Sequence, residues 1–285
     1  MSTTRSRAAA PAAARADLRP MLRRMLRLAR LDLTLMWRNR SAMFGVLGIP
    51  AFFAVMLVVG SGNGNTTAGI DAVLYTGTGD LAFFLIFAVF IHLTTGFTAR
   101  REELTLKRLR SGPLSDLEVL GGSVLGAVLM YFAQSAVLIA IIVTVLDGGP
   151  PADPVLLLVG MLGGAAVCAL LAAALSGVTA TAEMAQFTVL PMLLASMGLS
   201  GFMFPLDDMP AFVQAVGRAM PLTPVVEILR TAYLGRDYTV GGDHAALGLV
   251  EGWAACAPSL LALAAWGAAG AWLARRYFRW EPRRG

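Results

Sequence analysis

The sequence predicts an all-α integral membrane protein that crosses the bilayer six times. Asp, Glu, Lys and Arg together make up 14% of the 285 residues, against roughly 25% in soluble domains. The mean hydropathy is +0.68. Six segments without any of these four residue types are each long enough to cross a bilayer, which needs about 20 apolar residues. A soluble globule of this size could not bury so much apolar surface.

The six charge-free segments give the predicted spans. Lipid offers no partner to exposed backbone groups, so each span is expected to be a continuous helix. Together the spans form one predicted transmembrane domain over residues 41–275. We expect the helices near residues 42–60, 81–99, 120–145, 155–177, 186–204 and 252–274.

The distribution of Lys and Arg predicts the orientation. Twenty of these residues fall in segments 1–40, 100–118 and 275–285, and three fall in the intervening loops 61–80, 146–154 and 205–251. Because basic loops stay on the inner side, both termini are expected in the cytoplasm of a plasma-membrane protein. The net charge of +5 then reflects topology and contact with anionic lipids. No folded basic domain is available for nucleic acid.

The two ends of the chain are predicted to lie outside the bilayer. Residues 1–20 are predicted to form a disordered basic tail, and residues 276–285 are predicted to form a basic cytoplasmic tail. Residues 21–40 predict an amphipathic helix on the inner leaflet, because arginines occupy the face opposite its apolar positions. Those positions are Leu22, Met25, Leu26, Ala29, Leu33 and Met36.

Few residues suggest chemistry within the chain itself. The single lysine, Lys107, follows leucine and not the glycine of a phosphate-binding loop. Two cysteines and two distant histidines predict no metal site. His92 lies inside the second span, where it is either a functional residue or a hydrogen-bonded neutral side chain. An intramembrane serine protease with Ser200 as nucleophile is a remote alternative, because Gly198 to Gly201 has the G-x-S-G form.

The cytoplasmic segment between the second and third spans is the most informative part of the sequence. Residues 98–110 predict a charged helix that extends the second span, with Glu103 four residues before Lys107. Ser111, Gly112 and Pro113 are expected to end it. Ser115 and Glu118 form the S-x-x-E pattern of a capping box that opens the third helix. A long, structured polar segment that also contains several leucines is typical of a docking surface.

This segment resembles the signature of ABC type-2 transporter permeases, and in particular their daunorubicin-resistance type of drug exporter. The resemblance covers roughly residues 20–275, with glycine usual in the family where this chain has Leu104. It is carried by Arg101-Glu102, Lys107-Arg108-Leu109-Arg110, Ser111 to Ser115, Thr181 to Gln186, Ser200-Gly201, Phe204 to Leu206, Met209-Pro210, Met220 to Pro224, Glu227, Arg230 and Gly235.

The resemblance implies that this chain is the membrane subunit of an exporter and that a separate cytoplasmic ATPase binds ATP and Mg. No catalytic residue and no cofactor are then expected in this chain. The implied assembly has two permease copies, and the implied cargo is a hydrophobic, drug-like molecule, as in antibiotic resistance, or a lipid-linked one. Glu183 marks the second cytoplasmic turn. The implied docking residues are Glu102, Glu103, Leu106, Lys107, Arg108 and Leu109.

The outer loop 205–251 predicts two short helices, because Pro210 and Pro224 sit where helices begin and Gly235 where one ends. Their apolar character favours helices that re-enter the outer leaflet. The resemblance implies that they form an exit gate, and an interfacial cap is the alternative. The implied gate residues are Phe204, Pro205, Pro210, Pro221, Pro224, Glu227 and Arg230.

Two questions stay open at this level. The pairs Gly122/Gly126 and Gly160/Gly164 predict close helix packing, either within one subunit or between two. A secondary transporter or channel of another family is the main competing hypothesis. Such a carrier needs a titratable relay inside the membrane, and the predicted spans contain no carboxylate.

Overall fold

The computed structural model describes residues 18–61, 66–67, 70–106, 115–239 and 244–280, and within these ranges it is almost entirely helical. The predicted all-α membrane fold is confirmed. Two short antiparallel strands, Thr66–Thr67 and Ile70–Asp71, form the one sheet in the described part of the chain.

The described residues of the amino-terminal half form α-helices and two π-helical segments. The π-helical segments are Phe44–Gly48, which runs into α3, and Ile86–Ile91, which joins α4 to α5. The α-helices are α1 (Leu18–Arg38), α2 (Arg40–Met43), α3 (Ile49–Gly60), α4 (Ala72–Leu85), α5 (His92–Glu102) and α6 (Asp116–Thr144).

The carboxy-terminal half begins with a long apolar helix and contains a run of shorter ones. A 3₁₀ turn at Leu206–Asp208 precedes the two helices of the outer loop. The α-helices are α7 (Pro154–Val178), α8 (Ala182–Thr188), α9 (Leu190–Leu199), α10 (Ala211–Arg218), α11 (Thr223–Leu234), α12 (Leu249–Ala255) and α13 (Ala257–Tyr277).

Five helical segments are long and apolar enough to cross a membrane. The sixth predicted crossing, at residues 42–60, corresponds to the shorter apolar helix Phe44–Gly60. At ~1.5 Å per residue this helix is about 25 Å long, a little less than a ~30 Å hydrocarbon core. The sixth crossing therefore stays a prediction. The five segments are Ala72–Glu102, Asp116–Thr144, Pro154–Val178, Ala182–Leu199 and Ala257–Tyr277.

The second predicted span begins earlier than its charge pattern indicates. It starts at Ala72 rather than residue 81, and Asp71 caps it by accepting a hydrogen bond from the Val73 amide at 2.8 Å. Asp80 consequently lies about 12 Å inside the helix, where it is fully buried. The expectation that the spans contain no carboxylate is wrong, because an acidic residue that is fully buried in the protein does not interrupt a helix.

This span, α4 with α5 and the π-helical segment between them, is the central rod of the molecule. Residues 81–90 are all buried, because α6, α7 and α11 pack around them. The Phe83 ring stacks on the Phe202 ring at a centroid distance of 4.3 Å and meets the Phe53 ring edge-to-face at 5.3 Å. Such pairs add about 0.5–1.5 kcal/mol each to the burial of the rings.

Both glycine pairs pack helices within the same chain. A Cβ atom added at Gly122 would lie 2.6 Å from the Leu28 Cβ of α1, and one added at Gly160 would lie 2.7 Å from the Ile228 Cγ2 of α11. Glycine at these positions therefore allows α1 to approach α6, and α11 to approach α7. The alternative of packing within one subunit is the one that the structure favours.

Helix α1 is amphipathic, as predicted, but it packs against protein as well as presenting a face outward. Met25, Leu28 and Ala29 contact the glycine face of α6. Leu22 and Leu26 stay about half exposed. One apolar face thus packs against α6, and a second remains exposed.

Candidate functional site

The end of the central rod at Glu102 differs from its prediction. The helix expected over residues 98–110 is interrupted: it ends at Glu102, the chain turns at Glu103 and Leu104, and Thr105 and Leu106 are helical again. Residues 107–110 lie outside the described residues. Leu104 has a φ of 59°, a left-handed conformation that ends a helix. The bend falls where the resembled family has glycine. The described residues therefore do not form one continuous helix through Glu103 and Leu104.

We expect Leu104→Gly to stabilise the protein. Leucine in the left-handed region costs about 1–2 kcal/mol, part of which glycine loses again through its larger unfolded-state entropy. Because the Leu104 side chain is 41% exposed, little packing is lost. A thermal melt in detergent should show a rise in Tm equivalent to roughly 0.5–1 kcal/mol.

The matched control is Asp147→Gly, at the other non-glycine residue with a comparable φ, 51°. Aspartate tolerates this conformation better than leucine does, so the gain there should be smaller. A Tm that falls in Leu104→Gly would show that the leucine side chain stabilises the turn more than its backbone strain costs.

Arg101 fixes the end of a neighbouring helix. Its guanidinium is 2% exposed, donates to the Ser176 carbonyl at 2.6 Å and also donates to the Thr179 carbonyl. These carbonyls lie at the carboxyl end of α7, where helix dipoles favour a positive charge. Arg101 therefore caps α7 from the central rod.

Glu102 connects the same end of the central rod to the second predicted cytoplasmic turn, which precedes α8. Its Oε2 atom accepts a hydrogen bond from the Ala182 amide at 2.8 Å. Thr181 caps α8 by accepting from the Met184 amide at 3.2 Å. We use the name cytoplasmic clamp, after the predicted orientation, for Arg101, Glu102, the carbonyls of Ser176 and Thr179 and the Ala182 amide. The clamp joins the first turn that is predicted to be cytoplasmic to the second.

Arg100 ties α1 to the same end of the rod. It forms an ion pair with Asp32 of α1 at 2.6 Å and donates to the Ser123 hydroxyl of α6. Arg24 and Glu118 form a second ion pair between α1 and α6 at 3.1 Å. The surface helix, the rod and α6 therefore meet in one polar network.

The implied docking residues are placed unequally. Glu102 and Glu103 are exposed, whereas Leu106 is fully buried. Glu183, which marks the second predicted cytoplasmic turn, is exposed as well. Lys107, Arg108 and Leu109 lie outside the described residues. Two apolar side chains that the sequence did not single out, Leu104 and Met184, are 41% and 51% exposed on the two turns that the clamp joins.

On the outer side, the two predicted short helices are confirmed. Helix α10 begins directly after Pro210, and α11 carries Pro224 in its first turn and ends at Gly235, whose φ is 64°. Nearly every residue of α11 is buried against α4, α7 and α13. A cap lying at the surface of the protein does not fit this placement of α11.

Arg230 holds α11 in place. Its guanidinium donates to the carbonyls of Gly201 at 2.9 Å, Phe202 at 3.0 Å and Tyr75 at 3.1 Å. The guanidinium carbon also lies 3.6 Å from the centroid of the Tyr75 ring, a cation–π contact. Arg230 thereby connects α11, the chain after α9 and the outer end of the rod.

The other implied gate residues fall into two groups. Pro221 and Pro224 are buried with α11, whereas Phe204 and Pro210 are exposed and Pro205 is half-buried. Glu227 accepts a hydrogen bond from the Ser259 hydroxyl of α13 at 2.6 Å. Burial raises the pKa of Glu227 to about 7. The structure thus does not bring all seven residues together in one cluster.

The remote protease alternative fails on distance. Gly201, next to Ser200, accepts a hydrogen bond from the Tyr75 hydroxyl at 3.1 Å, which places Ser200 near the outer end of the rod. His92 lies 17 residues further along that rod, or about 25 Å away. Ser200 and His92 therefore do not form a catalytic pair.

The chemistry of the remaining candidates is limited. Cys168 and Cys256 are both free and buried. In the part of the chain that the structure describes, no group of three His, Cys, Asp or Glu side chains could hold a metal ion.

A bundle of long apolar helices with linked cytoplasmic turns defines a multi-pass membrane protein. The family model of the ABC-2 family transporter proteins matches residues 64–276, which is most of the chain. The protein therefore belongs to the ABC-2 transporter family and is a transmembrane permease subunit. Membership of this family implies a partner ATPase subunit. A comparison with curated proteins gives no match.

Proposed function

We propose that the protein is the permease of an ATP-driven exporter of the daunorubicin-resistance type, working as a homodimer. Its cargo is a hydrophobic small molecule or a lipid-linked compound, and the path between the two copies opens alternately inward and outward. ATP and Mg are bound by the partner ATPase. The observation that carries the proposal is the cytoplasmic clamp, because it makes two cytoplasmic turns and the central rod one mechanical unit.

The central rod connects this unit directly to the outer side of the protein. Its 31 residues run from the clamp at Glu102 to Ala72, a length of about 46 Å. Near the outer end, Tyr75 contacts Arg230 of α11. A tilt of the rod driven by the ATPase would therefore move α11 at the opposite face of the membrane. This is the role that we propose for α11 as an exit gate.

The proposed orientation places both termini and the clamp in the cytoplasm. The exposed arginines of α1, Arg23, Arg27 and Arg30, are then available to anionic lipid headgroups. The half-exposed Leu22 and Leu26 lie in the same helix. This arrangement fits a helix that rests on the inner leaflet.

A secondary transporter is the second candidate function, and Asp80 is the observation that favours it. A buried carboxylate inside a span is a feature that ion-coupled carriers use. The family membership of the chain and the clamp favour the ATP-driven function. Dependence of transport on the ATPase separates the two.

We expect Glu183→Arg to weaken binding of the partner ATPase by more than tenfold. Glu183 is exposed beside the clamp, where a reversed charge would be unmatched in an interface, and tenfold corresponds to about 1.4 kcal/mol. The measurement is co-purification of the permease with its partner ATPase. Membrane insertion should be unchanged.

Asp208→Arg, an equal charge reversal at an exposed residue of the outer loop, is the control and should retain the ATPase. If Glu183→Arg and Asp208→Arg retain the partner equally, the second cytoplasmic turn does not contribute to docking. Transport that persists without any ATPase would favour the secondary-transporter function.

A further inference from the structure

A cavity of about 410 Å³ lies between α3 and the outer part of the central rod. Its walls are largely apolar, with Phe52, Phe53 and Met56 from α3 and Met203 from the chain after α9. The size is within the range of small-molecule sites, which are mostly apolar with a few placed polar groups.

Asp80 is the polar group that marks this cavity. The residue lines the cavity and is fully buried, and neither of its carboxylate oxygens has a hydrogen-bond partner among the described residues. A buried charge is normally paired or hydrogen-bonded. A carboxylate with neither oxygen satisfied therefore points to a ligand that supplies the missing interaction.

The nearest arginine does not replace that ligand. Arg230 attracts Asp80 electrostatically, but its hydrogen bonds go to three backbone carbonyls. Arg230 is not among the residues that line the cavity. Asp71 lines it as well, so the described lining carries two carboxylates and neither Lys nor Arg.

We propose that this cavity is a binding site for an apolar monocation and that Asp80 is the counter-charge. An anion would be repelled by both carboxylates, and a neutral molecule would leave their negative charge uncompensated. A small metal ion needs several oxygen ligands, which a wall of phenylalanine and methionine does not provide. A bulky phosphonium, quaternary ammonium or protonated amine suits both the charge and the aromatic rings.

As a site for exported cargo, the cavity rests on the proposed function, whereas binding of the cation does not. The test therefore uses the purified full chain without ATPase or nucleotide. Radiolabelled tetraphenylphosphonium is the probe, and tetraphenylborate, an anion of the same shape, measures apolar partitioning alone. We expect saturable binding of the cation and no saturable binding of the anion.

Asp80→Asn removes the charge with almost no change of shape, and it should weaken cation binding at least tenfold. Met56→Trp keeps both carboxylates but narrows the cavity, and it should weaken binding as well. Asp208→Asn removes an exposed charge elsewhere on the outer side and should bind as the unmodified protein does.

Unchanged affinity in a folded Asp80→Asn protein would overturn the proposal. If Asp80→Asn does not fold, unchanged affinity in Met56→Trp would overturn it. Equal uptake of cation and anion by the unmodified protein would also contradict a charged site. A permease that binds the cation but fails to recruit the ATPase would leave this inference intact and refute only the proposed export function.

Discussion

Arg230→Met is expected to prevent accumulation of folded protein. The substitution removes three hydrogen bonds of a charged donor, to the carbonyls of Gly201, Phe202 and Tyr75, at about 1.5–3 kcal/mol each. The Gly201 carbonyl keeps the Tyr75 hydroxyl as a donor and the Tyr75 carbonyl keeps the Thr78 hydroxyl. It also removes the charge that attracts the buried Asp80. The sum is comparable to the whole stability of a typical domain, about 5–15 kcal/mol.

The measurement is the fraction of detergent-extracted protein that elutes as a single species, together with its Tm. Arg218→Met is the matched control, because Arg218 is largely exposed and its contact with Asp207 is 3.6 Å long. Exposed pairs of this kind contribute about 0–1 kcal/mol, so the control should behave as the unmodified protein. A normal Tm for Arg230→Met would show that α11 is held by apolar packing alone.

Local signals in the sequence predict the ends of several helices correctly. Ser115 and Glu118 form the expected capping box, with the Ser115 amide donating to Glu118 at 2.8 Å. Gly235 ends α11 in the left-handed conformation. These predictions hold because each depends on a few adjacent residues, whose hydrogen bonds form whatever the rest of the chain does.

At two residues the local sequence pattern gives the wrong helix boundary. The charge-free stretch ends at Asp80, although the helix continues through this residue to Ala72. A helical pattern of charges carries the prediction through Leu104, although its backbone takes a positive φ. In both cases tertiary packing overrides a local preference, since a residue's burial or its strained turn depends on neighbours that are distant in sequence.

The partners of the buried polar residues cannot be predicted from the sequence pattern alone. Arg101 stands in the signature of the cytoplasmic segment, yet a run of arginines predicts a solvated surface, and the structure buries this one at the end of α7. The glycine pairs likewise predict close packing without naming the helix that approaches. Choosing between α1, α11 and a second subunit requires the three-dimensional arrangement.

The cytoplasmic clamp leads to the second large expected effect. Arg101→Met should lower the Tm and abolish export, because the buried carbonyls of Ser176 and Thr179 lose their charged donor. At about 1–3 kcal/mol for each group, the loss is roughly 2–6 kcal/mol. The carboxyl end of α7 would then no longer follow the rod when the ATPase moves it.

Arg275→Met is the control for charge, since Arg275 is exposed in the last turn of α13. It should retain Tm, partner and export. Glu102→Gln is the control for the second half of the clamp, because glutamine keeps an acceptor oxygen for the Ala182 amide. Glu102→Leu loses that acceptor and should expose the Ala182 amide to faster hydrogen exchange.

The decisive readout is ATP hydrolysis by the reconstituted complex beside transport. If the clamp transmits motion, Glu102→Leu should hydrolyse ATP with little transport, while Glu102→Gln keeps the two coupled. A merely structural role predicts instead that both activities fall together in proportion to folded protein. Full coupling in a folded Glu102→Leu complex would show that the two cytoplasmic turns move independently, and the rod would then have to be driven through α1 and α6, by way of Arg100 and Asp32.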